Sequence, residues 1–205
     1  MTTIIDYGAG NIESVAKAVR FLGRSCELTN DPEKILRADR VILPGVGAFR
    51  DAMRMLRALH MDEAIGSFLK TGRPFLGICL GLQLLFQSSE EAPGCAGLSF
   101  LPGRIVRIPA EEGRKVPHIG WNSLSLSPEA GLFRGLSGQP YVYFVHSYYL
   151  KSGRPEIVAA RAEYGVPIDA AVEWENIAAT QFHPEKSGAV GLKILTNFLN
   201  SGEER

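Results

Sequence analysis

Several things are scarce in this sequence, and each scarcity removes a class of protein. Cysteine occurs only three times in 205 residues, at positions 26, 79 and 95. Three scattered thiols make neither a disulfide framework nor a zinc site, and they suit a reducing, cytoplasmic setting. Net charge is absent, with 22 basic residues balancing 22 acidic ones. No nucleic-acid or anionic-membrane surface is therefore expected. No apolar run approaches the length of a membrane span. The opening MTTIIDYG carries no basic leader or cleavage site, so no secretory signal is expected. Repeats, linkers and low-complexity tracts are missing as well.

What is present is a core. The chain is 45% hydrophobic, enough for one compact domain spanning 1–205. Strand signals at residues 2–6, 25–29, 40–43 and 74–78 alternate with helical patterns at 11–22, 48–59 and 62–70. In the first helix Asn11 is placed to cap the start and Gly23 to end the run. In the second, Phe49, Ala52, Met53, Leu56 and Leu59 share an inward face, and Arg50, Arg54 and Arg57 form a solvated stripe opposite. This alternation predicts an α/β fold with a doubly wound, mostly parallel central sheet flanked by helices. After Phe86 the pattern changes. Residues 88–103 are polar and broken by glycine and proline. Short strands then recur at 104–108, 141–146, 157–161, 168–173 and 177–181, which predicts extra antiparallel pairing in the second half. A helix over 187–200 closes the chain.

The stretch PFLGICLGLQLLF, residues 74–86, carries the strongest chemical signal. A buried strand meets an apolar helix with almost no loop, and Cys79 sits at the joint between Gly77 and Gly81. Gly-x-Cys-x-Gly has the layout of a strand-turn-helix nucleophile elbow with a thiol as the nucleophile. The flanking glycines let strand and helix pack closely while the thiol projects outward. The helix N-terminus favours the thiolate, and the Leu80 N–H can serve an oxyanion. A buried, inert cysteine is the common alternative, so the elbow needs a base to be convincing.

Four histidines are available. His60 falls at a helix end, His118 in the turn-rich PHIGWN segment and His146 at a strand end. His183 differs, because Pro184 fixes it and Glu185 lies two residues on. In an extended segment i and i+2 share a face, which lets the carboxylate reach the imidazole. A cysteine nucleophile needs a base and the base needs an orienting group, so His183 with Glu185 is the expected pair. The Pro44–Gly47 turn, PGVG, can aim a backbone N–H at a ligand. DYGAGN, residues 6–11, places Gly8 and Gly10 after a strand as a dinucleotide fingerprint would. Glu13 occupies the third glycine position, however, so that reading is rejected and no cofactor or metal is expected. Ligands of such sheets gather beyond the carboxyl ends of the strands, where these glycine turns fall together.

With Cys79, His183-Pro184-Glu185 and PGVG in place, the chain resembles the class I (triad) glutamine amidotransferases. More narrowly it is similar to the glutaminase subunits of imidazole glycerol phosphate synthase, through DYGAGN, LPGVGAF, GICLGLQLLF, PHIGWN, YFVHSYY and QFHPEKS. The resemblance implies that Cys79 attacks the carboxamide of glutamine while His183, oriented by Glu185, handles protons. It implies an oxyanion site from Leu80 and the N–H of Val46 or Gly47. Gly47, Gln83, Glu91, Ser147 and Tyr148 would line the glutamine pocket. Asn11, Trp121, Tyr143 and Lys186 match positions facing the partner and the ammonia route. Leu82 stands where relatives often carry Met, a change of packing alone. The partner implied is a (βα)8-barrel cyclase of histidine biosynthesis, in a cytoplasmic heterodimer. Rival readings are an amidotransferase subunit for anthranilate or aminodeoxychorismate synthesis, a stand-alone cysteine hydrolase, and a non-catalytic binding module.

Overall fold

A computed structural model describes residues 1–8 and 11–202. The first half winds through β1 (Thr2–Ile5), α1 (Ile12–Phe21), β2 (Cys26–Thr29), α2 (Pro32–Arg37), β3 (Arg40–Gly45), α3 (Phe49–Ala58), α4 (Met61–Leu69) and β4 (Phe75–Cys79), ending in α5 (Leu80–Leu84). The strands of this half pair in parallel in the order β2-β1-β3-β4. Helix α2 does not figure in the sequence reading, although its signals are local. The Asp31 carboxylate accepts from the Glu33 N–H at 2.9 Å, and Pro32 fills the first helical position. Asn11, expected to cap α1, precedes it without a side-chain cap hydrogen bond. Gly23 ends that helix as expected, at φ +74°. Ala9 and Gly10, the middle of the first glycine turn, lie outside the described residues.

The second half adds β5 (Ser88–Ser89), β6 (Gly103–Arg107), β7 (His118–Ser123), β8 (Ser125–Leu126), β9 (Tyr141–His146), β10 (Tyr148–Ser152), β11 (Val158–Glu163), β12 (Pro167–Trp174), β13 (Ile177–Thr180) and α6 (Gly188–Asn200). Strand β13 returns to lie parallel to β4, and β12 and β10 then continue the sheet in antiparallel pairing. The result is an eleven-stranded mixed sheet beside a separate two-stranded ribbon of β7 and β9. This matches the expected α/β architecture.

Two corrections concern strands. PHIGWN reads as a turn-rich segment, yet His118–Ser123 is a full strand paired residue for residue with β9. Strand β10 is absent from the sequence reading and pairs along its length with β6. Both owe their conformation to partners distant in sequence, which periodicity cannot register.

The sheet separates two apolar layers. Helices α3, α4 and α5 cover one face with Phe49, Met53, Leu56, Phe68 and Leu82, and Phe86 just past α5 joins them, all buried. On the other, α1 and α6 pack Val15, Val19, Ile194 and Leu195 against Ile4, Ile42 and Ile78. The arginine stripe of α3 is exposed as expected, but it does more than meet water. Arg50 and Arg57 donate to the carbonyls of Pro93 and Ala96, each at 2.8 Å, and so tie the loop after β5 to the helix.

Candidate active site

Register brings the site together. Gly45 at the end of β3 lies opposite Cys79 at the end of β4, and Ile78 lies opposite Thr180 at the end of β13. The chain leaving β13 must therefore emerge beside the elbow, and its first residues there are Gln181-Phe182-His183.

Cys79 has φ +56° and ψ −108°, a conformation that L side chains rarely adopt. Such a backbone costs of order 1–3 kcal/mol. It persists because Leu80, Leu82, Leu84, Leu85 and Phe86 are buried directly after it, each contributing about 1.5–3 kcal/mol. The two glycines are steric requirements. A Cβ on Gly81 would stand 1.9 Å from the Leu43 carbonyl oxygen, and one on Gly77 would stand 2.8 Å from the Gly81 oxygen.

His183 is held at both ends. Its N–H donates to the Tyr143 carbonyl at 3.0 Å, and its own carbonyl accepts from the Ser187 hydroxyl at 2.7 Å. The imidazole Nδ1 donates to Glu185 Oε1 at 2.8 Å, with both side chains buried. Nε2 is also buried, and among the described residues no group meets it at full hydrogen-bonding geometry. Burial alone would keep this ring neutral. Attraction to the Cys79 sulfur first, and to Glu185 second, outweighs it and lifts the imidazole to about 9.

The other histidines separate cleanly from this one. His60 is exposed ahead of α4. Burial pushes His118 down to about 4. It pushes His146 down to about 3, with the charges of His118 and His183 adding to the effect against the Tyr148 hydrogen bond. The two rings form a neutral chain. His146 Nδ1 donates to the Tyr148 carbonyl at 2.9 Å, which leaves its Nε2 to accept from His118 Nδ1 at 3.1 Å. Of the three buried imidazoles, His183 alone is lifted rather than depressed.

A cavity of about 310 Å³ opens at Cys79. It is lined by Val46, Gly47, Leu80, Gln83, Glu91, Ser147 and Tyr148, together with Pro117, Val145 and His146. The expected oxyanion and substrate positions thus lie around one space. Glu91 also has a structural task, its carboxylate accepting from the Phe49 N–H at 3.0 Å at the start of α3. Gly47 has φ +99° and nothing within 4 Å of where a Cβ would stand, so the Val46–Gly47 turn is free on that side.

The remaining expected residues lie apart from this cavity. Trp121 and Tyr143 face each other across the β7–β9 ribbon with ring centroids 6.1 Å apart. Ile119, Trp121 and Tyr141 are 59%, 56% and 58% exposed, which makes an apolar outer face. Lys186 is exposed in the turn after His183, and α1, which begins just after Asn11, packs against that turn.

A larger groove of about 1080 Å³ runs along the opposite strand ends, past Arg40, Arg73, Pro74 and Ile177. None of the expected residues lines it. Of its charged residues, Arg73 donates to the Ala38 and Leu36 carbonyls, and Glu173 accepts from the N–H groups of Gly131 and Leu132. Among the described residues, no cluster of three or more His, Cys, Asp or Glu could hold a metal ion, and no helix is long and apolar enough to cross a membrane.

Pro117, Val145 and His146 of the cavity lining, and Gln181 at the nucleophile, escape the sequence reading as site residues. Gln181 is fully buried and donates from Nε2 to Cys79 Sγ at 3.7 Å. The only local hint is its place between β13 and His183.

Known proteins bear on this arrangement. The imidazole glycerol phosphate synthase subunit HisH of Syntrophotalea carbinolica is 52% identical over 203 residues, covering 97% of this chain and 98% of that one. The protein of the same name from Methanothermobacter thermautotrophicus is 50% identical over 199 residues, with 97% and 98% covered. Among solved structures, a glutamine amidotransferase and the PurLQS assembly from Thermotoga maritima each superpose with a TM-score of 0.76, covering 97% of both chains. Their sequence identities are 20% and 19%, so they speak to the fold alone. Residues 3–201 match the family described as glutamine amidotransferase class-I, and the chain belongs to that family.

Proposed function

We propose that this chain is the glutaminase subunit of imidazole glycerol phosphate synthase, built as a single amidotransferase domain over 1–205. It releases ammonia from glutamine and passes it to a (βα)8-barrel cyclase. The observation that carries the reading is the strained elbow at Cys79, open to a cavity on one side with the His183–Glu185 pair beside it. The names of relatives near 50% identity, matched over almost their whole length, point to the same complex.

The chemistry follows from the charges. With His183 lifted to about 9, the proton that the pair shares rests on the imidazole at neutral pH. The sulfur attacks the carboxamide carbon, and the N–H groups of Leu80 and of Val46 or Gly47 receive the oxyanion. As the C–N bond breaks, the leaving nitrogen takes the proton from His183 and departs as ammonia. Water then adds to the thioester carbon and its proton passes to His183. The C–S bond breaks, the electron pair returns to sulfur and glutamate leaves. Gln83, Glu91, Ser147 and Tyr148 hold glutamine during both halves.

Ammonia set free in neutral water is protonated and loses its nucleophilicity, which favours delivery along a sheltered path. The apolar outer face of β7 and β9, with Trp121 and Tyr143, is the docking surface that suits a partner. Asn11 and Lys186 are assigned to the ammonia route by resemblance, and Lys186 lies in a turn that packs on β9.

The test is glutamate release by the purified chain, alone and with a cyclase plus its phosphorylated ribotide substrate. Strong stimulation by the loaded cyclase is expected. Equal turnover without any partner, or stimulation only by a chorismate-using enzyme, would sink the assignment. Cys79→Ala should abolish release and leave the circular-dichroism spectrum and thermal midpoint unchanged.

A further inference from the structure

The side chain of Gln181 links the nucleophile to Gln83, one of the residues that line the cavity. Its Oε1 accepts from Gln83 Nε2 at 3.0 Å, and its Nε2 donates to Cys79 Sγ at 3.7 Å. Gln83 Nε2 also donates to the Tyr148 carbonyl at 3.0 Å. The orientation of both amides is fixed from the far end of this chain. A main-chain carbonyl can only accept, so Gln83 must present its nitrogen to Tyr148. That nitrogen can only donate to Gln181, which must answer with oxygen. The nitrogen of Gln181 is then left facing the sulfur. Gln181 thus gives the sulfur a hydrogen bond of its own, separate from the attraction between Cys79 and His183.

The backbone of Gln181 is also fixed, its N–H donating to the Ala170 carbonyl at 2.8 Å. The amide therefore approaches the sulfur from a rigid strand end, and Gln83 supports it from behind. An amide N–H does not give up its proton at neutral pH. It can stabilise charge on sulfur without competing with His183 for the proton.

We propose that Gln181 is a catalytic residue of the glutaminase reaction, the donor that holds the Cys79 sulfur while it carries negative charge. Charge sits there twice, before attack on the carboxamide and again as the C–S bond of the thioester breaks and its electron pair returns to sulfur. A hydrogen bond to a charged acceptor is about twice as strong as one between neutral groups, so the amide favours both states over the covalent one. The inference rests on Cys79 being the glutaminase nucleophile.

The test compares Gln181→Glu, which keeps the shape and reverses the donor, with Gln181→Met, which removes it. Both are studied in the complex with the cyclase. Alkylation by iodoacetamide is followed on the Cys79 peptide by mass spectrometry, since Cys26 and Cys95 are also free. In both variants the midpoint of the alkylation–pH profile should move upward by about half a unit or more. Glutamate-release kcat should fall about tenfold or more, with KM for glutamine within about threefold. An unmoved alkylation midpoint overturns the proposal. A loss confined to KM overturns it too, because it places Gln181 behind Gln83 in substrate binding. Should Gln181→Glu fail to fold, Gln181→Met decides alone. If the wild-type complex releases no glutamate, the glutaminase reading has failed, and the alkylation profiles still show whether Gln181 acts on the sulfur.

Discussion

Around Cys79 the protein tolerates several unfavourable local choices. The elbow backbone is strained, Gly81 is pressed against the Leu43 carbonyl, and the hydroxyl of Tyr7 is buried without a partner among the described residues. Burial first, and the negative charge of Cys79 second, hold that phenol well above its ordinary range, so it stays neutral. A buried hydroxyl without a partner carries a desolvation cost of about 1–3 kcal/mol. Tyr7→Phe removes that cost and fills the same space. It should leave stability unchanged or raise it by up to about 2 kcal/mol in urea titrations. A loss above about 1 kcal/mol would show that the hydroxyl is satisfied in solution. Gly81→Ala has the opposite expectation. Its Cβ would overlap a backbone oxygen that cannot give way, so the elbow must open. Destabilisation beyond about 3 kcal/mol is expected in the same measurement, with loss of glutamate release.

At the scale of the element, the β7–β9 ribbon is set by its buried histidines. His118 is stacked between Phe144 and Tyr164, with centroids 4.8 Å and 3.9 Å away. His146 comes next in the chain of neutral rings. Both titrate below their unfolded value of 6.5, so the unfolded chain binds protons that the folded one refuses. Their contribution is intact above pH 6.5 and is lost as pH falls towards about 4 for His118 and about 3 for His146. Each adds a slope of up to about 1.4 kcal/mol per pH unit. Denaturant titrations between pH 6.5 and 4.5 should therefore be steep, and His118→Phe should flatten the slope by about half. An unchanged slope would mean that other groups govern acid unfolding. This ribbon is also where the sequence is least legible. PHIGWN holds proline and glycine and reads as a turn, and only pairing with β9 makes it a strand. Helix α2 is the reverse case, its Asp31-Pro32-Glu33 start being plain in the chain.

Across the whole molecule, the two edges of the sheet have different tasks. The carboxyl ends of β3, β4 and β13 hold the cavity and the elbow, whereas the opposite ends form a wide groove in which Arg73 and Glu173 bond to the backbone. The ribbon that carries the exposed Trp121 and Tyr141 packs, through β9, beside the turn after His183. If a cyclase docks there, Trp121 has the size, exposure and neighbours of an interface anchor. Trp121→Ala should weaken binding to the cyclase by about 2 kcal/mol or more in calorimetric titration, roughly thirtyfold in Kd. Turnover of the free chain should be unaffected. Full-strength binding would move the interface elsewhere on the protein.

The amino-acid sequence by itself determined the alternation of strands and helices, the elbow and the His183–Glu185 pair. Each of these is written within a few consecutive residues, through apolar period, glycine placement and i, i+2 spacing. The tertiary structure alone decided which histidine is lifted, which amide touches the sulfur and where β7 and β10 find their partners. Those properties arise from burial and from contacts across long separations, such as the 102 positions between Gln181 and Cys79, and no local pattern encodes them.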